Sequence, residues 1–198
     1  MKLSALVQSP VTPDPDIASV RSDSREVAPG ALFAALAGVK TDGAKFVAMA
    51  AEKGAAAVLA HPSARAAIPD GVAAILDVNP RSRLAQAAAR FHSACPGTIA
   101  AVTGTNGKTS VANFVRQIWA HDGTQAASLG TVGAMTPQGL LELKHTTPDP
   151  VVLHAMLARI ADMGVTHAAL EASSHGLDQN RLDGLRVQAA GFTNLSRD

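Results

Sequence analysis

The chain has 198 residues, 47% hydrophobic and 17% charged, with 17 lysines and arginines against 16 aspartates and glutamates and a net charge of +1. That balance belongs to a globular chain of one large or two small domains, and the absence of a basic tract argues against a nucleic-acid partner. The single cysteine, Cys95, excludes an internal disulfide and a cysteine-rich zinc site, while the lack of an apolar leader or of a run near the ~18 residues of a membrane helix points to a cytoplasmic protein with no membrane partner.

In chain order, short apolar runs alternate with helical patterns. Ala31–Leu36 reads as a strand, and Phe46, Met49 and Ala50 then share a helical face. Ala55–Ala60 and Ala73–Val78 are further strand candidates, and Leu84, Ala87, Ala88 and Phe91 make a buried helical stripe. Cys95-Pro96-Gly97 ends that helix and sets the expected boundary between domains 1–97 and 98–198. The second half restarts with a strand at Thr98–Thr103. A helix follows with Val111, Phe114, Val115 and Ile118 on one face, then a strand at Ala126–Leu129. Residues 130–148, rich in Gly, Thr and Pro, read as a loop or hairpin. Val152, Leu153, Met156, Leu157 and Ile160 form another amphipathic helix, and Thr166–Leu170 and Val187–Phe192 read as strands. The alternation implies an α/β fold with a mostly parallel sheet.

Between the strand at 98–103 and the next helix lies Gly104-Thr105-Asn106-Gly107-Lys108-Thr109-Ser110. Strand, glycine loop, Lys-Thr and helix is the arrangement that binds a nucleotide's phosphates. Glycines let backbone N–H groups converge on an anion, and the helix N-terminus adds partial positive charge. Lys108 can neutralise β- and γ-phosphate oxygens, and the hydroxyl of Thr109 or Ser110 can ligate Mg²⁺. Only two residues separate Gly104 from Gly107, fewer than in the usual loop, so the motif takes its weight from the strand before it and the helix after it.

Ligands of open α/β sheets sit at the carboxyl ends of strands, and two more polar clusters fall there. Glu171-Ala172-Ser173-Ser174-His175-Gly176 follows the strand at 166–170, and Thr193-Asn194 follows the strand at 187–192. Glu171 is either a magnesium ligand or a surface glutamate. His175 is a base, a ligand or a backbone hydrogen bonder. Arg181 suits a carboxylate or phosphate through paired hydrogen bonds, or is a solvated surface residue. Thr146-Thr147-Pro148 is an extended segment whose hydroxyls can grip an anionic substrate or simply line a turn.

Together these segments resemble the Mur ligases. Thr103–Ser110 is similar to that family's ATP loop. Glu171-Ala-Ser-Ser-His-Gly-Leu177 and Phe192-Thr-Asn-Leu-Ser-Arg-Asp198 resemble the branch that adds the third residue of the peptidoglycan stem peptide. Ser22-Asp-Ser-Arg25, Pro29-Gly-Ala-Leu-Phe33 and Thr41-Asp-Gly43 resemble its N-terminal domain. The resemblance implies a small N-terminal α/β substrate domain followed by an incomplete ATPase domain of a monomeric cell-wall enzyme. Such an enzyme joins a diamino acid, meso-diaminopimelate or L-lysine, to UDP-N-acetylmuramoyl-L-alanyl-D-glutamate through an acyl phosphate.

By resemblance, Gly104, Thr105, Asn106, Gly107, Lys108, Thr109 and Ser110 bind ATP, and Thr109 and Glu171 serve Mg²⁺. Lys108 and Glu171 are the catalytic candidates. Ser22, Ser24, Val39, Lys40 and Thr41 match positions that hold the uridine nucleotide. His145, Thr146, Thr147, Ser173, Gln179 and Arg181 match positions that hold the muramoyl-dipeptide. Relatives continue past the position of Asp198, so the chain is expected to be part of a longer enzyme and inactive alone. The rival expectations are another Mur-type or folylpolyglutamate ligase, a phosphate-loop kinase or hydrolase, and a non-catalytic module for a UDP-sugar.

Overall fold

The computed structural model describes residues 1–38 and 41–196. The chain divides into two compact units, Met1–Phe91 and His92–Asp198. This division falls six residues before the boundary expected at 97/98. Helix α3 ends at Phe91, and Gly97 is already tied into the second unit by the Gln188 side chain.

The first unit runs α1 (Leu3–Val7), β1 (Ser19–Arg21), β2 (Ala31–Ala35), α2 (Val47–Glu52), β3 (Ala57–Ala60), β4 (Ala73–Leu76) and α3 (Pro80–Phe91). Its four strands are parallel, in the order β1-β2-β3-β4. Strands β2 and β3 are buried along their whole length, which is why they read as unbroken apolar runs. Helix α3 buries Leu84, Ala87 and Ala88 of the expected stripe together with Ala85, while Phe91, at the helix end, is only partly buried. The expected face of Phe46, Met49 and Ala50 is corrected. Helix α2 buries Val47 and Ala50, while Phe46 precedes it in a 3-10 turn and is 38% exposed.

The second unit runs β5 (Thr98–Thr103), α4 (Lys108–His121), β6 (Ala126–Gly130), β7 (Gly133–Thr136), β8 (Gly139–Leu141), α5 (Pro150–Asp162), β9 (His167–Glu171), α6 (Ser174–Asp178) and β10 (Ala189–Phe192). Its sheet has the order β10-β5-β9-β6-β7-β8. The first four of these are parallel, and β6-β7-β8 is an antiparallel meander, the hairpin expected within 130–148. Leu153, Leu157 and Ile160 of α5 pack with Ile99, Leu129, Ala168 and Leu170 of the sheet.

Two helical faces differ from expectation. Helix α4 fully buries only Ala112, whereas Phe114 and Ile118 are 59% and 62% exposed. The small Ala112 side chain allows close approach to the sheet, so the bulky residues point elsewhere. On α5, Val151 is buried and Val152 is exposed. Strand β10 begins at Ala189, later than expected: the Gln188 N–H still donates to the Ile99 carbonyl at 2.9 Å, but the Ile99 N–H is taken by the Gln188 side chain instead of a backbone carbonyl. The Gln188 Oε1 accepts from that N–H and its Nε2 donates to the Gly97 carbonyl.

His154 lies buried on α5, with Nε2 3.4 Å from the Asp183 carbonyl. Burial pulls its pKa from 6.5 down to about 4, against the carbonyl's opposite effect and with a small further push from His92. Folding therefore selects the neutral ring, and between these values the unfolded chain binds more protons. The contribution is fully present above about pH 6.5 and is lost as the pH falls toward 4, at most about 3 kcal/mol. The thermal midpoint of the second unit is expected to drop across this window in the wild type and to drop less in His154→Gln. An identical slope in both would show that another group carries the acid sensitivity.

Candidate nucleotide and substrate site

The carboxyl ends of β5, β6, β9 and β10 carry the polar clusters of the second unit. After β5 the chain curls through Gly104 (φ +128°) and Gly107 (φ +87°), and α4 begins at Lys108. Both torsions lie in the region that favours glycine. The N–H groups opening a 14-residue helix have no intrahelical partner and form a natural anion seat. The Lys108 ammonium donates to the Gly104 and Thr105 carbonyls at 2.7 and 2.9 Å, so it sits over the loop that would hold phosphate. Thr109 and Ser110 occupy the first turn.

The segment after β10 braces this loop. The Asn194 carbonyl accepts from the Thr105 N–H at 2.9 Å, and Asn194 Oδ1 accepts from the Asn106 N–H at 3.1 Å. Thr193 Oγ1 donates to the Asn106 carbonyl at 2.7 Å. The polar pair recognised after the last strand thus holds the phosphate loop in shape.

Glu171 is the last residue of β9, paired with Val102 of β5, and is 4% exposed. Its Oε1 accepts from the Thr131 N–H at 3.0 Å and its Oε2 from the Thr131 hydroxyl at 3.3 Å. The carboxylate lies so close to the end of β6 that a Cβ on Gly130 would fall 1.8 Å from Oε1. Two accepted bonds leave about half of a carboxylate's lone-pair positions for a cation. Thr109 lines the same small cavity as Glu171. Among the described residues no group of three or more His, Cys, Asp or Glu side chains forms a metal cage. One carboxylate and one hydroxyl beside a phosphate loop suit a magnesium ion shared with nucleotide phosphates.

Of the candidate dipeptide residues, Thr146, Thr147, Ser173, Gln179 and Arg181 are linked by hydrogen bonds that lead to Glu171. Thr147 is 2% exposed; its hydroxyl donates to the Glu171 carbonyl at 2.8 Å and accepts from the Ser173 N–H at 2.9 Å. Ser173 Oγ caps α6 by accepting from the Gly176 N–H. Arg181 donates to the Thr147 carbonyl and to Gln179 Oε1. Thr147, Ser173, Gln179 and Arg181 are therefore one bonded cluster, in which Thr147 and Ser173 shape the backbone as much as they face a ligand. Thr146 bonds Thr131, hydroxyl to hydroxyl, at 2.9 Å. His145 and His175 are exposed.

In the first unit, Ser22, Ser24 and Thr41 line a cavity of about 500 Å³ whose apolar wall includes Phe33, Phe46 and Met49. This explains why Phe46 and Met49 leave the core. Lys53 donates to the Ser24 and Arg25 carbonyls. Asp23 grips the Arg25 guanidinium and N–H, and these hydrogen bonds pull its carboxyl down to about 2. Val39 and Lys40 lie outside the described residues.

Sequence reasoning missed Gly130 and Thr131. The available signal was position: they end the apolar run 126–129 as Glu171 ends its own strand.

A run of parallel strands with a glycine loop between strand and helix, a lysine over that loop and a buried carboxylate at the adjacent strand end has the architecture of a phosphate-loop unit. The chain belongs to the Mur ligase family: residues 102–198 match the Mur ligase middle domain and residues 16–92 match the Mur ligase family catalytic domain. It is similar to the UDP-N-acetylmuramoyl-L-alanyl-D-glutamate–2,6-diaminopimelate ligases of Bradyrhizobium diazoefficiens (54% identical) and Caulobacter vibrioides (49%), in each case over 100% of this chain and 41% of the relative. The chain thus spans about two-fifths of the length of these curated relatives. A solved ligase of that same name superposes with a TM-score of 0.79 at 32% identity, over 92% of this chain and 37% of the other. A Thermotoga maritima MurF ligase solved with ADP shares the fold, with a TM-score of 0.56 at 18% identity, over 89% and 37%.

Proposed function

We propose that this chain supplies the uridine-substrate and ATP surfaces of a cytoplasmic ligase. That ligase adds meso-diaminopimelate to UDP-N-acetylmuramoyl-L-alanyl-D-glutamate. The observation that carries the reading is one of placement. The phosphate loop, Glu171 and the Thr146–Arg181 cluster all lie at the carboxyl edge of one run of parallel strands. Diaminopimelate is chosen over lysine because the similar ligases are named for it.

A carboxylate does not condense with an amine unless its oxygen becomes a leaving group. The side-chain carboxylate of D-glutamate attacks the γ-phosphorus of ATP, the bond to the β-phosphate oxygen breaks, and ADP leaves. The amine then attacks the acyl carbon, the C–O bond to phosphate breaks, and the ammonium proton passes to solvent. The main barrier is bringing two anions together, so positioning and charge neutralisation dominate. Lys108 neutralises phosphate charge from above the loop, and the N–H groups of α4 hold the phosphate oxygens. Thr109 and Glu171 would hold magnesium, which when bound screens the triphosphate and polarises its terminal group. Arg181 and the Thr147 segment would orient the dipeptide, and Ser22, Ser24, Lys40 and Thr41 the uridine end.

Calorimetric titration with UDP-N-acetylmuramoyl-L-alanyl-D-glutamate, with UDP-N-acetylglucosamine as control, tests the reading. Saturable binding of the first at least tenfold tighter than the second is expected. Equal affinity, or no binding by a folded sample, would overturn it.

A further inference from the structure

Resting on this functional reading, we propose that Thr131 is a positioning residue. It sets the Glu171 carboxylate and joins it to Thr146, so that the nucleotide–metal site and the dipeptide site are coupled through one side chain. Three contacts converge on it. Its N–H donates to Glu171 Oε1 (3.0 Å), its hydroxyl reaches Glu171 Oε2 (3.3 Å), and the same hydroxyl meets the Thr146 hydroxyl (2.9 Å).

Proton counting gives this chain a direction. A hydroxyl has one proton to donate, and an ionised carboxylate can only accept. The Thr131 proton therefore points at Glu171, and Thr146 must donate to Thr131. The Thr146 oxygen is left with lone pairs facing outward, so it accepts from an N–H or O–H of the substrate and does not bind its carboxylates. That role falls to donors such as Arg181.

The seat is built for this arrangement. Gly130 leaves the room that Glu171 occupies, since a Cβ there would meet Oε1 at 1.8 Å and Cδ at 2.2 Å. The Glu171 main chain is held from the other side, its carbonyl accepting from the Thr147 hydroxyl at 2.8 Å. Residues 146 and 147 thus grip the same glutamate twice, once through its backbone and once through Thr131. A ligand that moves the 146–147 segment moves Glu171 with it.

The test compares wild type, Thr131→Val and Thr131→Ser. Each is titrated with a non-hydrolysable ATP analogue, with and without Mg²⁺, and with UDP-N-acetylmuramoyl-L-alanyl-D-glutamate, separately and together. Valine keeps the shape and removes the hydroxyl. We expect Thr131→Val to weaken the magnesium-dependent part of nucleotide affinity about tenfold and to abolish the mutual enhancement of the two ligands, with serine restoring both. Should the valine variant unfold, Thr146→Val severs the far end of the chain and is expected to lose the mutual enhancement as well. Wild-type behaviour in the valine variant, or in Thr146→Val where that arm is needed, would overturn this inference while leaving the functional reading intact. Failure of the wild type to bind either ligand would overturn both.

Discussion

Lys108→Ala is expected to lower ATP-dependent ligation at least ~10²-fold in the ligase containing these residues, the usual loss when one preorganised charge-stabilising donor is removed. The Lys108 ammonium is positioned by two loop carbonyls, at 2.7 and 2.9 Å. These carbonyls are its only hydrogen-bond partners among the described residues, and both belong to the loop proposed to cradle phosphate. In the proposed reaction, removal of Lys108 takes a positive charge from the place where carboxylate and triphosphate meet. The fold should tolerate the change, because the loop's shape is fixed independently by Asn194 and Thr193. Arginine should not restore activity, since its planar fork is wider than the compact ammonium the two carbonyls hold. ADP release with all substrates present and the thermal midpoint of the same sample together check this. Near-normal turnover in Lys108→Ala would remove the loop from the mechanism.

Some of this site was legible in the sequence because its signals are local. The phosphate loop, Glu171 and Thr193-Asn194 each follow an apolar run, and the carboxyl-end rule gathers strand ends without knowledge of strand order. The parallel sheets were legible for the same reason, since β2, β3 and β5 are buried runs bounded by turns. The partnership of Thr131 with Glu171 was not legible. It spans 40 residues and depends on β6 lying next to β9, with β9 inserted between β5 and β6. Periodicity cannot supply that order. Helical faces failed where a small residue made the contact. Spacing marked Phe114 and Ile118 as the buried side of α4, but Ala112 is the residue that meets the sheet. The short strand β1, with only Val20 buried, gave too little pattern to find.

Gly104→Ala is expected to destabilise the second unit by about 3 kcal/mol and to abolish nucleotide binding, and the reason can be separated into two parts. The first is conformational. Gly104 has φ +128°, where an L side chain is strained by roughly 1–3 kcal/mol. The second is collision. A Cβ there would lie 2.1 Å from Thr193 Oγ1, 2.9 Å from the Asn194 carbonyl oxygen and 3.0 Å from its nitrogen. The hydroxyl can rotate away, but the Asn194 backbone cannot yield without withdrawing from the loop. That would break the bonds from the Thr105 and Asn106 N–H groups, each worth about 1 kcal/mol. Gly139→Ala isolates the first part, since Gly139 has φ +120°, close to that of Gly104, and nothing within 4 Å of an added Cβ. It should therefore show the conformational penalty alone and keep its affinity for nucleotide. A Gly104→Ala midpoint depressed no further than that of Gly139→Ala, with nucleotide still bound, would mean that Thr193 and Asn194 do not shape the loop. A markedly lower midpoint together with lost binding would make the segment after β10 as much a part of the nucleotide site as the glycines themselves.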